Sequence, residues 1–105
     1  MTQTGTLGTL DYMAPEQIIS ARQVDHRADI YALGVMVYQL LTGKKPFMSE
    51  NPGQLLFSHL QQPPPDPREL CEDLPRSVAK AIMKAMAKKP EDRFQSAGEF
   101  AQALN

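Results

Sequence analysis

Asp29-Ile30-Tyr31-Ala32-Leu33-Gly34-Val35-Met36-Val37-Tyr38-Gln39-Leu40-Leu41 is the most apolar stretch of the 105 residues. At the helical spacing of 3.6 residues its apolar positions do not gather into one stripe; they run round most of the helix. A helix that is apolar on nearly every side has to be covered on nearly every side. Asp29 suits the positive end of such a helix. Thr42-Gly43 ends it, with Gly43 fitted to the left-handed position after the last turn. The run from Leu33 to Leu41 is interrupted by Gln39 and is far too short to cross a bilayer.

Upstream, residues 1–11 are rich in Thr and Gly without helical or strand period, and read as an exposed loop. Pro15 can open a first turn, so Glu16-Gln17-Ile18-Ile19 is predicted as a short helix. Polar residues from Ser20 to Arg27 connect it to the central one. Downstream, Asn51-Pro52 has the form of an N-cap followed by proline at the first helical position. The helix so begun continues through Leu60 and is stopped by Pro63-Pro64-Pro65. The five prolines between Pro63 and Pro75 predict a surface crossing without regular structure. Val78, Ile82 and Met86 then recur at i, i+4 and i+8, which predicts an amphipathic helix from Ser77 to Lys88. Ser96-Ala97-Gly98-Glu99 has capping-box spacing, and Phe100 and Leu104 line one side of a last helix. No segment alternates as a strand does. The expected fold class is all-α, with about five helices and no internal repeat.

Composition narrows the function classes. With 11 Lys+Arg against 12 Asp+Glu, no global charge favours nucleic acid or an anionic membrane. Cys71 stands alone, so no internal disulfide forms, and the expected setting is a reducing, cytoplasmic one without signal peptide or membrane span. His26 and His59 have no ligand partners at metal spacing, so no metal or cofactor site is expected. No nucleophile–base pattern is visible. Lys80, Lys84 and Lys88 repeat at i, i+4 and read as a solvated helix face. Pro64-Pro65-Asp66-Pro67 reads as a crossing between helices, not as a ligand for a proline-binding domain. A chain of this size buries about two-thirds of its unfolded surface. The other segments are too short and too proline-broken to surround Asp29–Leu41, which predicts a bare apolar face covered by a larger domain or by self-association into a homo-oligomer.

Four motifs then fall in order. Gly8-Thr9-Leu10-Asp11-Tyr12-Met13-Ala14-Pro15-Glu16-Gln17 resembles the end of the activation segment of Ser/Thr protein kinases, with the Ala-Pro-Glu triplet. Asp25-His26-Arg27-Ala28-Asp29-Ile30-Tyr31-Ala32-Leu33-Gly34-Val35 resembles the start of the buried central helix of the kinase large lobe. Thr42-Gly43-Lys44-Lys45-Pro46-Phe47 is similar to the turn after it. Lys89-Pro90-Glu91-Asp92-Arg93-Phe94 is similar to the family's last signature. The flavour, with Pro-Glu-Gln and the proline run after His59, resembles the eukaryotic-like Ser/Thr kinases of bacteria.

The resemblance implies a part of the large lobe: residues 1–14 as the activation segment and substrate-docking loop, residues 15–105 as a helical subdomain. It implies a parent enzyme that moves the γ-phosphoryl group of ATP, held with Mg²⁺, onto Ser/Thr of a protein substrate. It assigns Gly8, Thr9 and Tyr12 to substrate docking and makes Thr2, Thr4 and Thr6 candidate phosphorylation sites. It implies that Glu16 and Arg93 pair as a buried ion bridge, and that Asp29 anchors the catalytic loop. Leu10 departs from the proline common at its position. The Gly-rich phosphate loop, the Val-Ala-Ile-Lys lysine, the His-Arg-Asp loop and the Asp-Phe-Gly site are absent from residues 1–105. No catalytic or nucleotide-binding residue is therefore expected here, and the upstream part of the kinase domain is an expected partner. The alternative reading is a stand-alone, kinase-derived helical module that binds a protein without catalysis.

Overall fold

The apolar run forms α2, Arg27–Thr42, the longest helix of the computed structural model, which describes residues 10–20, 22 and 24–105. It starts two residues before Asp29 because Asp25 accepts a hydrogen bond from the Arg27 backbone N–H at 2.9 Å. It stops at Gly43, whose φ of 81° supplies the left-handed residue. Around it lie α1 (Pro15–Ile19), α3 (Pro52–Gln61), α4 (Arg76–Ala85) and α5 (Ala97–Ala103). Two single 3₁₀ turns, Pro67–Glu69 and Pro90–Asp92, punctuate the connections. The described residues are helical with no strand, as the sequence predicts.

The termini follow local chemistry. Pro15 and Pro52 each open a helix, where a missing N–H costs nothing. Asn51 accepts from Gln54 N at 3.2 Å, and Ser96 Oγ accepts from Glu99 N at 3.1 Å. The reciprocal half of the last cap shifts by one residue, because Glu99 Oε1 takes the Gln95 N–H at 2.9 Å. The proline-rich crossing is less irregular than predicted: Asp66 caps its 3₁₀ turn, and Pro67 and Leu74 are buried.

One face of α2 is packed. Tyr31, Val35 and Tyr38 join Leu55, Leu74, Ile82 and Met86 in one cluster, while Ile30 joins Ala81, Ala85 and Phe100 in another. The opposite face is open, with Met36 and Leu40 46% and 79% exposed, and Leu41 in the last turn is also 44% exposed. The bare apolar face expected from the sequence is thus present on the chain by itself.

Helix α4 ends three residues earlier than its apolar period predicts, at Ala85 instead of Lys88. The last turn tightens instead, the Ala87 N–H donating to Lys84 O three residues back, and the carbonyls of Ala87 and Lys88 beyond it accept from Arg93. Lys88 does not lie on a solvated face, which corrects the reading of the three lysines as one stripe. It is half-buried, stands 4.7 Å over the Phe47 ring and donates to Ser58 O at 3.1 Å. Burial holds its pKa down to about 8. Lys80 and Lys84 stay exposed, Lys84 resting over Phe94.

Candidate functional site

Glu16 and Arg93 are 77 residues apart in sequence and meet in the interior. Arg93 Nη1 and Nη2 donate to the two carboxylate oxygens of Glu16 at 2.6 and 2.7 Å. The remaining donors reach the carbonyls of Ala87 (2.7 Å), Arg27 (3.0 Å) and Lys88 (3.1 Å). The guanidinium also lies 5.0 Å from the Tyr31 ring centre. A planar fork suits this arrangement; a lysine's point charge would not. The pair ties α1, which follows the segment from Leu10 to Ala14, to the loop before α5.

At the C-terminal end of α2, the segment from Leu10 to Ala14 is held by two bonds. The Tyr12 hydroxyl donates to Gln39 Oε1 at 2.8 Å, and Lys45 Nζ donates to Asp11 Oδ2 at 2.6 Å. That bond raises the Lys45 pKa. A half-exposed ion pair contributes under about 1 kcal/mol, so its use is to fix geometry. Gln17 closes the segment by accepting the Ala14 N–H at 2.8 Å. An open groove beside it is lined by Asp11, Gln39, Lys44, Lys45, Met48 and Glu50.

Of the residues the resemblance assigns, Tyr12, Glu16 and Arg93 sit within these networks. Gly8, Thr9, Thr2, Thr4 and Thr6 lie outside the described residues. Asp29 is exposed on the first turn of α2 and bonds no other described side chain. Sequence reasoning missed three participants. Gln39 had a signal: it is the one polar residue inside the apolar run. Lys45 sits in a quoted motif, but no spacing rule ties it to Asp11. His59 carried no pattern at all.

His59 is fully buried in α3, with Nδ1 2.7 Å from the Tyr31 hydroxyl and its ring edge-on to Tyr31 and Phe47. Burial, helped by the charge of Lys88, pushes its pKa down to about 4. Below pH 6.5 the unfolded chain takes up a proton that the folded chain refuses until about pH 4. Stability is therefore full above pH 6.5 and falls between 6.5 and 4, with a slope of up to about 1.4 kcal/mol per pH unit. Urea midpoints of wild type and His59→Gln between pH 7.5 and 4.5 check this: the variant loses the difference in slope.

A chain whose described residues are helical without a strand, with this buried Glu–Arg fork, a segment clamped to the end of a central apolar helix and an Ala-Pro-Glu turn between them, is part of a protein kinase large lobe. The protein kinase domain family matches residues 2–104, and the chain belongs to that family. It is 48% identical over 93% of its length to the serine/threonine-protein kinase Pkn1 of Myxococcus xanthus, of which that covers 14%. It is 44% identical over its full length to the serine/threonine-protein kinase PknH of Mycobacterium tuberculosis, covering 17% of that protein. The tyrosine-protein kinase MasK of Myxococcus xanthus is 49% identical over 98% of the chain, which covers 16% of that relative. The chain thus spans under a fifth of the length of these relatives.

Proposed function

We propose that this chain forms the substrate-docking side of a protein kinase that transfers the ATP γ-phosphoryl group to Ser or Thr of a protein. The observation that carries this reading is the clamped segment Leu10–Ala14, held by Tyr12–Gln39 and Asp11–Lys45 beside an open groove. Phosphoryl transfer needs positioned ATP, Mg²⁺ and an aspartate near the acceptor hydroxyl. Among the described residues no group of His, Cys, Asp or Glu is arranged to hold a metal ion, and the sequence carries none of the nucleotide motifs. By the family resemblance, ATP and Mg²⁺ are held by other parts of the kinase domain, this chain spanning under a fifth of its relatives' length.

In that setting Gly8 and Thr9 shape the landing site of the acceptor residue, and Asp29 anchors the catalytic loop. Thr2, Thr4 and Thr6 are the sites whose phosphorylation orders the segment, through charge and strong acceptors that an arginine cluster can hold. The bare face at Met36 and Leu40 is covered by the upstream part of the domain or, in the 105-residue chain alone, by a second copy. The compartment is the cytoplasm, the reducing setting that the lone free thiol of Cys71 fits. Separately, no helix among the described residues is long and apolar enough to cross a membrane.

The test is a titration of ¹⁵N-labelled chain with Ser/Thr peptides and Tyr peptides, a choice sharpened by the name of the MasK relative. Ser/Thr peptides are expected to shift the amides of Tyr12, Gln39 and Lys45, while micromolar ATP·Mg²⁺ gives no heat in calorimetry. Peptide shifts confined to α5, or tight ATP binding, would overturn the reading. Light scattering checks the assembly: a dimer or larger is expected, and a monomer at high concentration refutes it.

A further inference from the structure

Between α4 and the proline-rich crossing runs an open groove of about 700 Å³, lined by Asp66, Arg68, Arg76, Ala79, Lys80 and Met83. The crossing is held in place. The Tyr38 hydroxyl donates to Pro65 O at 2.8 Å, and Arg68 Nε donates to Leu74 O at 3.0 Å. Both terminal nitrogens of Arg68 are left without a hydrogen-bond partner among the described residues. Asp66, the one carboxylate on the groove, accepts the Arg68 backbone N–H at 2.9 Å. Helix α4 itself carries three cations and no carboxylate. Arg76 is its first residue, where the helix dipole disfavours positive charge, and Lys80 follows at i+4, where like charges repel. Neither cost is offset within the chain. The ion pairs of the described residues are Asp25–Arg27, Asp11–Lys45 and Glu16–Arg93, none of them on this groove. The next two lysines differ: Lys84 lies over Phe94 and Lys88 over Phe47, each at 4.7 Å. In a chain of net charge −1, three unpaired cations around one groove are a local feature.

We propose that this groove docks an acidic peptide segment of a partner protein, whose carboxylates pair with Arg68, Arg76 and Lys80. Charge complementarity selects that occupant, and the two arginines can each take a carboxylate bidentately. The cations are spread over a turn of α4 and across to the crossing, with buried Ala79 and half-buried Met83 on the same lining. A single small anion would leave most of that surface unused, whereas a few extended residues fill a groove of this size. The flexible thioether of Met83 suits an apolar side chain of the peptide. None of these residues belongs to the segment from Leu10 to Ala14, so the proposal stands apart from the substrate-docking reading.

The experiment titrates the ¹⁵N-labelled 105-residue chain with an octapeptide of Glu and Asp around one central Leu. Saturating shifts are expected at the amides of Arg68, Arg76, Lys80 and Met83, weakening as salt is raised. The peptide with Gln and Asn in place of its acids should leave them unmoved. Arg76→Gln combined with Lys80→Gln is expected to lower the affinity about tenfold, while Lys84→Gln stays within about twofold of wild type. Shifts confined to other surfaces, or equal binding of the uncharged peptide, would overturn the proposal. So would the same shifts from inorganic phosphate alone, which would make the groove a simple anion site. Shifts at these amides that grow with chain concentration before peptide is added would give the groove to a second copy. A urea melt supplies the second arm. With the repulsion removed, the double variant should unfold at the wild-type midpoint or above it. A lower midpoint would mean that the two cations already serve a contact within the chain, and the proposal fails.

Discussion

Arg93→Ala is expected to destabilise this domain by about 3–5 kcal/mol, the cost of stranding one partner of a buried pair. A domain of this kind holds only about 5–15 kcal/mol in total, so the variant sits near the edge of folding. With a urea dependence of about 1–3 kcal/mol per molar, the midpoint falls by about 2 M. The effect is larger than a charge pair alone would give, because the same guanidinium satisfies the carbonyls of Ala87, Arg27 and Lys88. Arg93→Lys recovers little: one ammonium cannot reach three carbonyls and two carboxylate oxygens. Glu16→Ala leaves the guanidinium with its carbonyls but without a counter-charge, and costs less than Arg93→Ala. The double variant should be less damaging than the sum of the singles by about 0.5–3 kcal/mol, because neither stranded charge is then left. Additive losses in denaturant melts would show that the two residues do not act as a pair.

Much of the fold could be read from local chemistry. Pro15, Gly43, Asn51 and Ser96 each mark a helix end for a reason confined to a few residues, and the structure places the ends there. The long apolar run also announced its own bare face, since too little chain remained to cover Met36 and Leu40. The failures share another cause. After α4 the chain turns early, and the carbonyls of Ala87 and Lys88 are satisfied by Arg93, which lies beyond the helix. No window of sequence around Lys88 contains that information. The same holds for His59, which matters through Tyr31 on another helix. Glu16 and Arg93 were paired by family resemblance; their 77-residue separation gave no periodic signal. The clamped segment Leu10–Ala14 was partly legible: Tyr12 lies in the Ala-Pro-Glu motif stretch, but its partner Gln39 showed only as a polar break in an apolar run.

Gly34→Val is expected to cost about 3 kcal/mol or more, and Gly34→Ala about 1–2 kcal/mol, although both substitutions raise intrinsic helix propensity. A glycine inside a helix gives up about 1 kcal/mol relative to alanine, so its presence in the middle of α2 needs a compensating contact. The contact is with α4. A Cβ at position 34 would lie 2.9 Å from the Ala85 Cβ and 2.8 Å from Met86 Cγ, closer than carbon atoms approach. Met86 can swing its flexible side chain aside. The Ala85 Cβ is fixed to its helix and can yield only if the two backbones separate. That distinction fixes the test. Ala85→Gly in the Gly34→Ala background should restore part of the lost stability, even though a second helical glycine by itself destabilises. Moving α2 away from α4 also displaces Tyr31 and Gln39, the residues that meet His59 and Tyr12. Amide exchange at Tyr12 should therefore rise in Gly34→Ala and fall back in the double variant. A Gly34→Ala protein more stable than wild type would mean that the helices can part without penalty and that the close approach is not what holds α2 in place.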